Sequence, residues 1–243
     1  MPRTTRSKKP KHRTSSRPKP KPTAPTADAA AASSSAGADA DADDTGPVFF
    51  WKPHEVPHGI FSQWYEAPFT APDPSGSGTV TYNTAEQFMM HQKALLFNDP
   101  AIAAEILETT NPRLQRSLGR AVKGFDEGVW VANRSRIVEE VSYHKFIKDP
   151  AVLLGTGERE LVEASPRDAV WGIGRGAVRG ALEDREGKRG RWGLNLLGKA
   201  LMRAREKIRA EKEAATEKEA AVGEKGEEEA EEAEKTEVVG DGE

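Results

Sequence analysis

Three stretches of this sequence combine residue types and spacings that could do chemistry. The first, HEVPH at residues 54–58, spells the His-Glu-x-x-His pattern in which two imidazoles share a zinc ion and the Glu acts as general base. That chemistry needs a helix to bring both His side chains to one face. Pro53 precedes the pattern and Pro57 lies inside it, removing a helical N–H and biasing Val56 away from the α region, so a loop without metal is expected. The second stretch, TAEQFMMHQKALLF at 84–97, carries Glu86 and Lys93 seven residues apart. On a helix they project from nearly the same azimuth, roughly 10 Å apart along the axis, and converge only if a pocket or ligand draws them together. A Glu in the first helical turn also favours the macrodipole, and Lys93 also suits an ordinary surface. The third, DAVWGIG at 168–174, joins a carboxylate, a flat stacking surface and two glycines for close backbone approach, which is how purine or pyrimidine rings are held. It reads equally as a core strand anchored by Trp171. Asn195 stands at the N-cap of the last helix. Gly174 and Gly176 make a Gly-x-Gly without the third Gly and the strand–turn–helix context of a dinucleotide fingerprint.

The elements that must position these groups follow from periodicity and capping. VFFWK (48–52) and TVTYN (79–83) read as short strands, with GIFSQWY (59–65) irregular between them and APDPSGSG (71–78) a turn-rich loop. The helix at 84–97 opens with a capping box, Thr84 as N-cap and Gln87 three places later. Phe88, His91 and Leu95 form one stripe on it; Glu86, Met90, Lys93 and Phe97 form another. Asp99 with Pro100, and Asn111 with Pro112, start two further helices by N-cap and N1 chemistry. A longer helix is predicted over 126–146, with Val129, Ile137, Val141 and Tyr143 as core candidates and Trp130 also read as core. DPAVLLG (149–155) is a short capped helix. ELVEAS and DAVWGIG are β-prone and joined by a turn at Pro166. A Gly/Arg-rich loop (174–191) leads to a final helix whose Leu196, Leu197, Ala200 and Leu201 make an apolar face. The expected fold is α+β, a predominantly helical single domain whose few strands meet in one small sheet.

Composition bounds that domain. All five Trp and all eight Phe fall within 47–206. Residues 1–46 hold almost no large apolar side chain; the first 22 carry nine Lys or Arg and no acid, and the rest is rich in Ala, Ser, Thr and Asp. Such a segment buries too little apolar surface to offset its chain entropy and is expected to be disordered. Residues 207–243, rich in Glu, Lys and Ala without an apolar stripe, are expected to continue the last helix for some turns and then fray. The absence of Cys excludes disulfides, thiolate nucleophiles and Cys-based zinc sites. No apolar run reaches the roughly 18 residues of a membrane span, and the N-terminus lacks the apolar region of a secretory signal. An intracellular protein, cytoplasmic or nuclear, is expected. The RSKKPKHR cluster at 6–13 suits nuclear import or contact with nucleic acid.

The order of the motifs says more than any one of them. GIFSQW, YNTAEQFMMHQK, LGR at 118–120, Trp130 followed by RIVEEVSYHKF, LLGTGERELVEAS, DAVWGIG and WGLNLLGKALMRARE together resemble the NADAR or YbiA-like family over about residues 48–206. The resemblance implies an N-glycosidase without a cofactor. Its substrate would be a ribosylated base: a phosphorylated ribosylamino-pyrimidine intermediate of riboflavin synthesis, or ADP-ribosylated guanine. The family's functional positions fall on Glu86, Trp130, Asp168, Trp171 and Asn195, and Lys93, Ser62 and Gly172 join them as candidates. Glu86 and Asp168 would share the stabilisation of an oxocarbenium-like state, the orientation of water and the protonation of the departing base. Trp130 and Trp171 would stack on base or ribose, and Asn195 would fix a sugar hydroxyl. Lys93 would clamp phosphate or, if desolvated, attack C1′ through a Schiff base. The competing expectation is a non-catalytic module that binds ADP-ribose or NAD. Expected partners are a small nucleotide-like molecule or an ADP-ribosylated base, nucleic acid through the basic tail, and no membrane.

Overall fold

A computed structural model describes residues 46–238 apart from Ser75 and Ser77, with side chains as far as Glu219. The expectations for the basic N-terminal tail lie outside the described residues. In chain order the elements are β1 (Val48–Phe50), a 3-10 turn at His58–Phe61, β2 (Phe69–Pro72) and β3 (Thr79–Tyr82). Four helices follow: α1 (Ala85–Leu96), α2 (Pro100–Glu108), α3 (Pro112–Ala121) and α4 (Glu127–Phe146). The chain continues through α5 (Ala151–Leu154), β4 (Leu161–Glu163), α6 (Ala177–Arg185), a 3-10 turn at Arg189–Arg191 and α7 (Leu196–Val238). This is the helix-dominated α+β class that the sequence predicts.

Helices α1 to α4 begin where their caps stand. The side chains of Thr84, Asp99, Asn111 and Asp126 accept hydrogen bonds from Gln87, Ile102, Arg113 and Val129 N–H groups. Gln87 departs from the predicted capping box: its Oε1 accepts from Asn83 N–H at 2.8 Å, one residue early. Its Nε2 donates to the carbonyls of Ile106, Leu107 and Thr109, satisfying the open C-terminal end of α2. Residues Ala85 to His91 of α1 are all buried, because α2, α3 and α4 pack around it. The predicted stripe therefore stops at His91, whose Nδ1 meets the Tyr82 hydroxyl at 2.9 Å, and Leu95 is exposed. Val129 is exposed as well, being in the first turn of α4, whereas Ile137 and Val141 are core.

The strands do not meet in one sheet. β1 runs parallel to β4 with Phe50 opposite Glu163, and β2 pairs antiparallel with β3 with Phe69 opposite Tyr82. The β2–β3 hairpin buries its inner face against α1, the Phe69, Tyr82 and Phe88 rings packing with centroids 5.0 to 6.2 Å apart. Among the described residues β1 pairs with β4 alone. DAVWGIG is a loop rather than a strand, since Asp168 Oδ1 accepts the N–H groups of both Val170 and Trp171 at 2.9 Å and coils the backbone. Its carbonyls serve α7 instead: Leu194, Asn195, Leu196 and Leu197 donate to Ala169, Gly172, Val170 and Trp171. Backbone, not the Asn195 side chain, caps the last helix. The segment at 174–191 is not all loop, because Arg179 and Glu183 pair one turn apart and support α6. Helix α5 has Pro150 at its N-cap position and so no side-chain cap.

Helix α7 supplies the other half of the core. Leu197, Ala200, Leu201, Ala204 and Ile208 pack with Ile137, Val138 and Val141 of α4, each large aliphatic side chain contributing about 1.5–3 kcal/mol by burial. Arg205 lies among them, its Nη1 donating to Thr156 Oγ1 at 2.7 Å and Arg159 O at 2.8 Å. The backbone then continues as helix to Val238. Among the described residues no helix is long and apolar enough to cross a membrane.

Candidate active site

A cleft of about 880 Å³ opens among the 51–54 loop, the 62–64 segment, the starts of α1, α3 and α4, the end of β4 and the 165–171 loop. Its lining has three chemical parts. Glu86, Glu163 and Asp168 bring carboxyl groups from α1, β4 and the loop after it. Trp51, Trp64, Trp130 and Trp171 give flat walls. Lys52, Arg113, Arg116, Arg134 and Arg167 bring positive charge to the more exposed margin.

Glu86 is 4% exposed in the first turn of α1, where its N–H donates to Gln63 O at 3.0 Å and its carboxylate accepts from the Trp64 side chain. Burial pushes its pKa up to about 7, against the opposing pull of Arg116, the Trp64 hydrogen bond and Arg120, while Asp168 pushes the same way as burial. Asp168 spends one oxygen on the turn that presents Trp171. Ser62 is buried at the cleft wall, its Oγ accepting from Trp64 N–H at 3.3 Å and its carbonyl from Lys145 Nζ at 3.0 Å. Lys145 also reaches Ile60 O, and burial lowers its pKa to about 7. It thereby anchors the segment that presents Ser62, Gln63 and Trp64. Trp130 is 9% exposed and forms both core and cleft wall.

Of the eight residues predicted from sequence, the cleft brings together Ser62, Glu86, Trp130, Asp168 and Trp171. The other three stand behind its walls. Lys93 donates to Gly119 O at 2.8 Å, with its Nζ 4.2 Å from the Phe125 ring centre and 5.4 Å from that of Trp130; burial lowers its pKa. Gly172 lets its loop cross β4, since a Cβ there would lie 2.5 Å from Glu163 O. Asn195, at φ 50°, gives both amide atoms to β4: Oδ1 accepts from Glu163 N–H at 3.0 Å and Nδ2 donates to Leu161 O at 2.9 Å.

Glu163 and the cationic margin went unnoticed in the sequence. Arg113, Arg116 and Arg120 share one face of a predicted helix, a signal that spacing could have given. Glu163 had none, being one acid in a β-prone stretch. In HEVPH the backbone turns rather than coils: Gly59 N–H reaches Glu55 O at 2.6 Å, Glu55 Oε2 takes Trp51 N–H at 3.0 Å, and helical structure starts only at His58. His54 and His58 do not share a helix face.

The NADAR domain family model matches residues 49–209. An N-glycosidase of Acanthamoeba polyphaga mimivirus is 41% identical over 151 residues, 60% of this chain and 86% of the viral protein. An N-glycosidase of Nostoc punctiforme is 30% identical over 165 residues, 67% of this chain and 92% of the bacterial one. The NMR structure of the E. coli protein YbiA aligns with a TM-score of 0.53 at 26% identity, covering 69% of this chain and 88% of that one.

Proposed function

This chain belongs to the NADAR domain family, and we propose that it is an N-glycosidase hydrolysing the C1′–N bond of a phosphate-bearing ribosylated base. The observation that carries this reading is the Glu86 carboxyl, buried beneath Trp64 in a cleft walled by Trp130 and Trp171 and edged by arginines. Breaking C1′–N builds positive charge on the ribose, and an ionised carboxylate beside C1′ stabilises it and takes a proton from the attacking water. A pKa near 7 suits Glu86 to that exchange at neutral pH. Trp130 and Trp171 provide faces for the base or ribose. Arg113, Arg116, Arg134 and Arg167 suit phosphate oxygens, to which guanidinium groups offer paired donors. Asp168 shapes the Trp171 turn and adds negative potential near C1′. Lys93 supports Trp130 from behind, and Asn195 holds β4 rather than a sugar hydroxyl. The finer substrate is a ribosylamino-pyrimidine phosphate or ADP-ribosylated guanosine, both within reach of a cleft of about 880 Å³.

Release of free base from each compound by the wild-type protein and by Glu86→Gln tests this. Loss of roughly 10²–10⁴-fold in rate in the variant is expected. Undiminished release would remove Glu86 from the chemistry. Borohydride added during turnover separates the routes: a ribose adduct on Lys93 would mean covalent attack, and an unchanged chain mass is expected for attack by water.

A further inference from the structure

Glu163 forms the end of β4, and its backbone is held on every side. Its N–H donates to Asn195 Oδ1 at 3.0 Å, its carbonyl accepts from Ile173 N–H at 2.9 Å, and the next N–H, of Ala164, reaches Phe50 O at 2.7 Å. With Nδ2 on Leu161 O, the Asn195 amide runs along β4 as a neighbouring strand would. Gly198 makes that approach possible, because a Cβ there would lie 2.0 Å from Leu161 O and 2.6 Å from the Asn195 amide. A strand end fixed in this way leaves the Glu163 side chain to the cleft, which it lines.

Among the described residues one oxygen of the Glu163 carboxyl has no hydrogen-bond partner. Its Oε2 is closed off from water and bonds nothing, and Glu163 makes no ion pair among the described residues. The charged groups that face it are Asp168 from the loop, Glu86 from α1 and Arg116 from α3, so acids outnumber the cation. Burial first, then Asp168 and Glu86, push its pKa up to about 8. At neutral pH it keeps its proton, and a protonated carboxyl is a hydrogen-bond donor. That donor lines the cleft, within reach of an acceptor on a molecule bound there.

We propose that Glu163 is a catalytic acid that protonates the departing base, and that Asn195 is its positioning residue. The proposal rests on the N-glycosidase reading above and adds the second half of its chemistry. The C1′–N bond breaks with its electron pair going to nitrogen, and the Glu163 proton passes to that nitrogen or to a ring atom conjugated with it. The water oxygen bonds to C1′ and its spare proton goes to Glu86. Products are free base and ribose hydroxyl, and a proton moved from Glu86 to Glu163 through solvent in the cleft resets both groups. Asp168, tied to the Val170 and Trp171 amides, holds the turn that stands beside the two exchanging carboxyls.

The test pairs two substrates that differ in their need for an acid: the ribosylated base that the protein cleaves, and a para-nitrophenyl riboside 5′-phosphate, whose leaving group departs as a stable anion. With E163Q, cleavage of the natural bond is expected to fall roughly 10²–10⁴-fold while nitrophenol release changes less than about threefold. The wild-type rate on the natural bond should drop as pH rises through about 8, a limb absent from the nitrophenyl substrate. N195A should move that limb to lower pH, as Glu163 becomes better solvated, and slow only the natural substrate; a merely structural Asn195 would slow both alike. Should E163Q fail to fold, the two wild-type pH profiles decide, identical profiles overturning the proposal. Equal losses on both substrates in E163Q, or none on either, also overturn it while leaving the glycosidase reading intact. A wild type that cleaves neither substrate overturns both.

Discussion

Lys93 Nζ holds the Gly119 carbonyl at 2.8 Å while facing the rings of Phe125 and Trp130, so one ammonium joins α1 to α3 and backs the wall of the cleft. Replacing Lys93 with Met keeps the stem and removes the donor. The buried Gly119 carbonyl is then unpaired, and a loss of about 1–3 kcal/mol in unfolding free energy is expected. Denaturant melts followed by Trp fluorescence will measure it. A variant as stable as wild type would show that this bond contributes nothing.

Two buried acids with raised pKa values make the fold prefer mild acid. Unfolded carboxyls lose their protons near pH 4.5, whereas Glu86 and Glu163 keep theirs in the native state to about 7 and about 8. Between pH 5 and 7 the native state therefore binds more protons than the unfolded one, and stability falls as pH rises, by a few kcal/mol in order of magnitude. Lys145, lowered to about 7, has the opposite slope above that pH, and His91 and His144, pushed below the ordinary imidazole value by burial first, oppose part of the decline below it. Melting temperatures across pH 5–7 should decline for the wild type and flatten in Glu163→Gln. Equal slopes in the two proteins would contradict the burial of Glu163.

Arg116 is the cation that most lowers Glu86, and it also lowers Glu163. Changing Arg116 to Met should raise KM about tenfold, the equivalent of about 1.4 kcal/mol for one lost phosphate contact. The limb of the pH–rate profile that belongs to Glu86 should move to higher pH at the same time. An effect on KM without that movement would place Arg116 on the phosphate but away from Glu86.

Gly172 has room for hydrogen only, with Glu163 O 2.5 Å and Asp168 O 3.2 Å from where a Cβ would stand. Both are backbone atoms and cannot swing aside. Gly172→Ala should cost about 1–3 kcal/mol in stability and should reduce activity in the protein that still folds, because it displaces two acids together. Gly176 has nothing within 4 Å, and Gly176→Ala should leave both properties unchanged. Thermal melts and initial rates of the two variants make the comparison.

What could be read in the sequence was local. Thr84, Asp99, Asn111 and Asp126 act on N–H groups two or three residues away, so their helices start where spacing says. The positions implied by family resemblance fell on the cleft for Glu86, Trp130, Asp168 and Trp171. What could not be read was set by distant partners. DAVWGIG has strand composition, yet its carbonyls are claimed by α7. Phe69–Pro72 becomes a strand because Thr79–Tyr82 pairs with it across a loop. Nothing near Glu163 in the chain announces an acid, because Asn195 fixes its backbone from 32 positions away.

The β1–β4 pair also sets an order of events during synthesis. Phe50 leaves the ribosome 145 positions before Asn195, the residue that fixes the partner strand. At roughly 5–20 residues per second, Val48, Phe49 and Phe50 wait on the order of ten seconds without their strand partner. The hairpin and helices α1 to α3 can form in that interval, since the β2–β3, α1–α2, α1–α3 and α2–α3 contacts lie within residues 69–121, whereas α4 must wait for α7. The nascent chain thus carries an unsheltered aromatic segment suited to chaperone capture, and the cleft is assembled last.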